Sequence, residues 1–260
     1  MVNILVPVTT IWWREIIRFY RQRSRLLSAI AQPLVFWILI GSGLNASFQP
    51  SGFNKEIGYI EYFYPGIVVL VLLFTAIFAT ISVVNERREG FLQSVLVSPV
   101  SRGSIVLGQA LGGTSLALLQ GFLLLCLAPL IGIKFSITSI IITIGVMVLL
   151  AFGLTNLGLI IAWRMDSTQG FHAIMNLILI PIWLLSGAFF PAAGTPLWLQ
   201  WVMKLNPLTY GLAAFRSGIY KNAYQQMGNI PSLTLSIIII VIFCVLTYLG
   251  ATLTASSKRI

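Results

Sequence analysis

Apolar residues in this 260-residue chain gather into runs of about 20, and that grouping limits the possible folds more than any other feature. A helix of about 20 residues crosses roughly 30 Å of bilayer hydrocarbon. A soluble helix or strand would instead alternate apolar and polar residues with a period near 3.6 or two. The strands of a transmembrane β-barrel would read as alternating segments of about ten residues, and no such segments occur. Only 8% of the residues are charged, 58% are hydrophobic and the mean hydropathy is +0.95. A soluble domain commonly carries about 25% charged residues to cover its surface. The expected fold class is an all-α membrane protein, with 1–260 forming a single transmembrane domain.

Six spanning helices are expected, over 26–44, 62–84, 105–131, 137–163, 171–190 and 233–253. The segment before them, 1–27, carries five arginines and does not span. Arg14, Arg18, Arg21 and Arg25 are spaced four, three and four apart, which sets them on one helical face. Trp12, Ile16, Phe19, Tyr20 and Leu27 fall on the other side. That pattern describes an amphipathic helix lying in the membrane surface. It does not read as a signal peptide, because Pro7 interrupts its apolar stretch and the arginines follow rather than precede it.

The net charge of +10 does not point to nucleic acid, since most basic residues flank apolar runs rather than forming a soluble basic face. They serve instead to orient the chain. With the N-terminus in the cytoplasm, eleven Lys and Arg fall on the inner side and five on the outer, with Arg216 among the outer five. The positive-inside bias then puts both termini in the cytoplasm of a cell membrane. Cys126 and Cys244 lie within apolar runs and read as small buried hydrophobes. There is one histidine and no metal-binding spacing such as HExxH, so no metal or other cofactor is expected in this chain.

Two connections depart from ordinary loops. The inner segment 85–104 holds two of the four acidic residues of that side, Glu86 and Glu89. The outer segment 191–231 is too apolar for a loop, and Pro191, Pro196 and Pro207 cut it into pieces too short to span. Its Trp198, Trp201, Tyr210, Phe215 and Tyr220 suit a membrane–water boundary. Short helices re-entering the outer leaflet are expected there.

Residues 86–109 read ERREGFLQSVLVSPVSRGSIVLGQ. This closely resembles the cytoplasmic signature of type-2 ABC transporter permeases, above all the branch of drug-resistance and nodulation-factor exporters. Arg88, Phe91 and Gln93 stand where that pattern usually has Glu, Thr and Glu. EYFYPGI at 61–67, and SGAFFP and NPLTYGLAAFR further on, resemble other blocks of the same family in the same order. The resemblance implies a membrane subunit that pairs with a second copy or a paralogue and with separate ATPase subunits, which would bind the ATP and Mg. It assigns the ATPase-coupling role to Glu86, Arg87, Gly90, Phe91, Leu92, Leu96, Pro99 and Arg102. The chain's own residues agree, because no GxxxxGK[ST] phosphate loop is present.

The local chemistry suits docking. Gly90 can end the second span's helix, and Phe91, Leu92, Val95 and Leu96 form an apolar ridge at helical spacing. Pro99 stops that short helix and Ser101 with Arg102 begins the next. An apolar ridge laid into a partner's groove is a recurring recognition mode; an interfacial helix touching only lipid would show the same composition. Gly108-x-x-x-Gly112 marks close packing of the third span, within the chain rather than between subunits. Span interiors carry almost no ionisable side chain, which argues against an ion-coupled transporter. His172 reads as a packed or interfacial residue and Phe189 and Phe190 as packing. Arg164 and Asp166 can pair at the inner surface. No convergent acid–base or metal set suggests a membrane enzyme. The expected cargo is hydrophobic or amphipathic, a drug, lipid or glycolipid, with no residue assigned to its path.

Overall fold

In a computed structural model the described residues are 5–21, 23–45, 58–90, 100–133, 135–220 and 231–257; side chains are not described at 23–30, 32, 45 and 257. Apart from short turns these residues are helical, with no strand among them. The helices are α1 Leu5–Arg21, α2 Arg23–Asn45, α3 Tyr59–Ala79, α4 Ile81–Arg88, α5 Arg102–Leu125, α6 Ile137–Ala162, α7 Thr168–Trp183, α8 Leu197–Leu205, α9 Pro207–Tyr220 and α10 Leu233–Ser257. A short 3₁₀ turn, Ala128–Ile131, extends α5, and a π-turn, Leu184–Ala188, extends α7.

Five stretches are long and apolar enough to cross a membrane: Tyr59–Arg88, Arg102–Ile131, Ile137–Ala162, Thr168–Ala188 and Leu233–Ser256. They coincide with the second to sixth expected spans. The first expected span falls on α2, whose described apolar stretch is the shorter Pro33–Leu44.

α3 is the axis of the molecule. Its window is the most buried of the five, and Tyr62, Phe63, Val68, Leu72, Leu73, Ala76 and Ile77 are wholly enclosed. α2, α5, α6, α7 and α9 pack around it. Thr80 joins α3 to α4, its hydroxyl donating to Ile77 O at 2.7 Å. The pair therefore continues as one 30-residue stretch, about 45 Å long at the helical rise. α10 lies at the rim against α6 and α9, and its window is the least enclosed. Its exposed Leu235, Ile238, Val241, Val245 and Leu249 form a lipid-facing surface.

Residue 22, between α1 and α2, lies outside the described residues. α1 lies against α5 and α2 against α3. The N-terminal segment departs from its expected form in one way, since the non-arginine side of α1 is two faces rather than one. Val8, Glu15 and Phe19 are buried, while Val6, Trp13, Ile17 and Tyr20 are exposed. At 100° per residue the arginine, buried and exposed faces lie roughly 120° apart.

The outer segment forms two short helices, as expected, but with unequal surroundings. α8 exposes Leu197, Trp198, Trp201 and Leu205, and Lys204 lies 5.0 Å from the Trp201 ring. α9 is instead part of the core, with Phe215 wholly buried and Tyr220 donating to Glu61 O at 2.6 Å. Phe215 is therefore a core residue, not a boundary aromatic, while Tyr220 is half-buried. Arg216 is not an outer surface charge either, being 4% exposed, because α9 is wedged between α6 and α10. Cys126 is exposed, not buried, because it caps the end of α5; Cys244 is buried.

Candidate functional site

The inner segment 85–104 can be followed only at its two ends. Phe91, Leu92, Leu96 and Pro99 lie outside the described residues. At the entry, α4 stops at Arg88 and Gly90 adopts φ +75°. A side chain with a Cβ is strained in that left-handed region, so glycine ends the helix at low cost. At the exit, Ser101 caps α5, its hydroxyl accepting from Ser104 N at 3.1 Å, and Arg102 is the first helical residue. Both boundaries match the turn chemistry read from the sequence.

The two charged residues at the entry face opposite neighbours. Glu86 is 1% exposed and meets α1. Arg14 donates to its Oε1 at 2.7 Å, and Arg18 Nη1 stands 2.8 Å from the same oxygen. Glu15 joins them, 3.3 Å from Arg14 and 3.5 Å from Arg18. A buried carboxylate is costly unless paired and hydrogen-bonded, and two guanidiniums one turn apart meet that need at Oε1, while Oε2 has no partner among the described residues. The expected surface stripe of arginines is thus, at Arg14 and Arg18, a clamp on this chain's own carboxylates. Arg21 belongs to the same face of α1; the side chain of Arg25 lies outside the described residues.

Arg87 points the other way. Its guanidinium donates to Trp163 O at 3.1 Å, Met165 O at 3.2 Å and Asp166 Oδ1 at 3.0 Å. It thereby caps the carbonyls beyond the end of α6, where a cation is favoured. Asp166, expected to pair with Arg164, is held by Arg87. Arg164 is exposed.

α1 can reach Glu86 because α5 lets it approach. A Cβ on Gly108 would sit 2.8 Å from Ile11 Cβ, and one on Gly112 would sit 2.7 Å from Glu15 Cβ. The two glycines therefore form the seat for α1, an intramolecular contact as expected from small-xxx-small spacing. Trp12 closes the seat by donating from Nε1 to Ser115 Oγ at 2.9 Å. Two adjacent residues, Glu86 and Arg87, thus tie the root of the inner segment to α1–α5 on one side and to the α6–α7 junction on the other.

A second polar cluster, not read from the sequence, lies at the far end of α3. Gly187 has φ +82° within the π-turn, and its carbonyl accepts from Tyr62 Oη at 2.7 Å and from Arg216 Nη2 at 3.0 Å. The Arg216 guanidinium also lies 4.2 Å from the Tyr62 ring and donates to Tyr62 O at 3.2 Å. Burial pushes the Tyr220 hydroxyl well above the ordinary tyrosine range, although nearby Arg216 acts in the opposite direction. Phe189 packs edge-on against Phe63 and Tyr59, and His172 is exposed with its ring 4.9 Å from that of Phe78.

The family model described as ABC-2 type transporter matches residues 7–220. A transport permease, ycf38, of Cyanophora paradoxa is 29% identical over 248 residues, covering 91% of this chain and 84% of its own length. Nodulation protein J of Sinorhizobium fredii is 28% identical over 195 residues, 74% of this chain and 73% of that protein. The inner membrane transport permease YadH of Escherichia coli is 24% identical over 247 residues, 94% and 92% of the two chains.

Proposed function

The chain belongs to the ABC-2 type transporter family, and from that premise we propose that it is the permease half of an exporter driven by ATP hydrolysed on a separate subunit. It is a multi-pass membrane protein and a transporter subunit that works with an ABC ATPase. Beyond that, our reading is as follows. The chain crosses the membrane six times, α2 included, with both termini and 85–104 in the cytoplasm. It pairs with a second copy or a paralogue. The ATPase docks on 85–104 through the apolar ridge of Phe91, Leu92 and Leu96, which Gly90 and Pro99 bound, with Glu86, Arg87 and Arg102 at its ends. The cargo is hydrophobic or amphipathic and leaves the cytoplasm.

The observation that supports this reading is the double tether at the segment's root. Movement of a docked ATPase would act on Glu86 and Arg87, and so on α1–α5 and the α6–α7 junction together. A two-state cycle needs contacts that bias whole elements rather than one loop. The lack of charge along the span interiors suits apolar cargo. The test is copurification of the full chain with a candidate ABC ATPase from the same organism. Phe91→Asp with Leu92→Asp is expected to abolish recovery of the ATPase while the permease stays folded. Undiminished recovery would remove the docking role from this segment.

A further inference from the structure

A cavity of about 490 Å³ lies inside the subunit, walled by α1, α2, α3, α4, α5 and α7. Its size falls in the range of small-molecule sites, about 300–1,000 Å³. Phe36, Phe74, Phe78 and Trp183 give it an aromatic lining, Thr75, Gln120 and His172 add polar side chains, and no Asp, Glu, Lys or Arg is among the described lining residues. It is separate from the tethered root described above.

The wall carries one unfinished polar spot. Thr75 on α3 donates its hydroxyl to Gln120 Oε1 on α5. Gln120 is wholly buried, and its Nε2 amide has no partner among the described residues. Several other buried polar groups of the spans return their donors to their own helices, although Thr143 Oγ1, Ser236 Oγ and Trp163 Nε1 also have no partner among the described residues. Thr114 donates to Ala110 O, Thr155 to Ala151 O and Asn156 Nδ2 to Phe152 O, all within 2.8 Å. At hydrocarbon depth water does not supply a partner, so a free N–H is costly. A buried amide without a partner, on a residue that lines a drug-sized apolar cavity, is suited to an occupant that supplies the acceptor.

We propose that this cavity binds an uncharged, mostly apolar small molecule whose carbonyl, ether or hydroxyl oxygen accepts from the Gln120 amide. Aromatic walls supply the apolar contact and the buried Gln120 donor supplies orientation. An anionic headgroup or a sugar chain would bring charges and hydroxyls that this lining leaves unpaired. The assignment of the occupant as cargo rests on the exporter reading, but binding itself does not, since the full chain alone contains the cavity.

Photolabelling of the full chain in phosphatidylcholine nanodiscs tests it. The probe is benzophenone, an uncharged ketone that crosslinks to neighbouring C–H bonds under ultraviolet light. The competitors are fluorenone and fluorene, nearly isosteric and differing in the carbonyl. Labelling is expected on peptides of α3 and α7. The preference for fluorenone over fluorene is expected to fall about fivefold in Gln120→Leu, the value of one hydrogen bond. Taking the ratio between wild type and variant cancels the competitors' different partitioning into lipid. Ile180→Trp, at a 45% exposed position on the cavity rim, is expected to block labelling without affecting folding. An unchanged fluorenone preference in Gln120→Leu would overturn the hydrogen bond. Labelling confined to lipid-facing α10 and unaffected by Ile180→Trp would overturn the site. Labelling as expected in a protein that moves no apolar compound in cells with its ATPase would leave the site standing and defeat the exporter reading.

Discussion

Glu86 shows how one side chain gains its role from a place the chain order hides. The spacing of four between Arg14 and Arg18 made their common face legible, and the two glutamates of the inner segment, Glu86 and Glu89, were equally plain. That the two would meet was not, because 72 residues separate Arg14 from Glu86. Glu86→Gln keeps the shape and removes the charge, leaving two guanidiniums facing a neutral amide. With the arginines 28% and 35% exposed, solvent softens the loss, and the expected destabilisation is about 1–2 kcal/mol. Replacing Arg14 and Arg18 by Gln should then cost less in the Glu86→Gln background than in wild type, since the pairs share one oxygen. Thermal unfolding in detergent measures both effects, and strictly additive losses would show that the groups do not act as one cluster.

At the scale of elements, α1 is where local pattern and packing diverge most. Its amphipathic character and the small residues of α5 were each readable from spacing. Their pairing depends on two helices from different parts of the chain touching, α1 against α5. Gly112→Val should lift α1 from its seat, because even a Cβ there falls 2.7 Å from Glu15 Cβ. In a background with Cys126 and Cys244 replaced, Trp12→Cys and Ser115→Cys are expected to be joined by a short bis-methanethiosulfonate crosslinker, since the two residues face each other across the helix contact. Adding Gly112→Val should reduce that crosslink several-fold. Equal crosslinking would mean that α1 does not depend on the glycine seat.

For the whole molecule, the membrane topology is the property on which the other readings depend. With six crossings, the start of α5 and the end of α10 face one side and the turn before α8 faces the other. Single cysteines at Ser101, Ser256 and Thr195, again without the native cysteines, separate these sides. In sealed vesicles with the cytoplasmic side inward, a membrane-impermeant maleimide is expected to label Thr195→Cys alone. Opening the vesicles should expose Ser101→Cys and Ser256→Cys as well. Labelling of Ser101→Cys from the outside would reverse the orientation and remove 85–104 from reach of a cytoplasmic ATPase.

The sequence by itself determined the spanning helices, their approximate ends and the turn chemistry at Gly90 and Ser101. All of these follow from local hydrophobicity and backbone preference, which act over a few residues. It also carried the family resemblance, because the inner signature is contiguous. Only the tertiary structure decided that Arg216 is a buried cation holding the Gly187 carbonyl, that Phe215 belongs to the core, and that Gln120 faces no acceptor. Those outcomes depend on which helices lie side by side. In a chain whose helices are apolar on almost every face, periodicity does not say which face meets protein and which meets lipid; that is fixed by the fit of small and large side chains between helices distant in sequence.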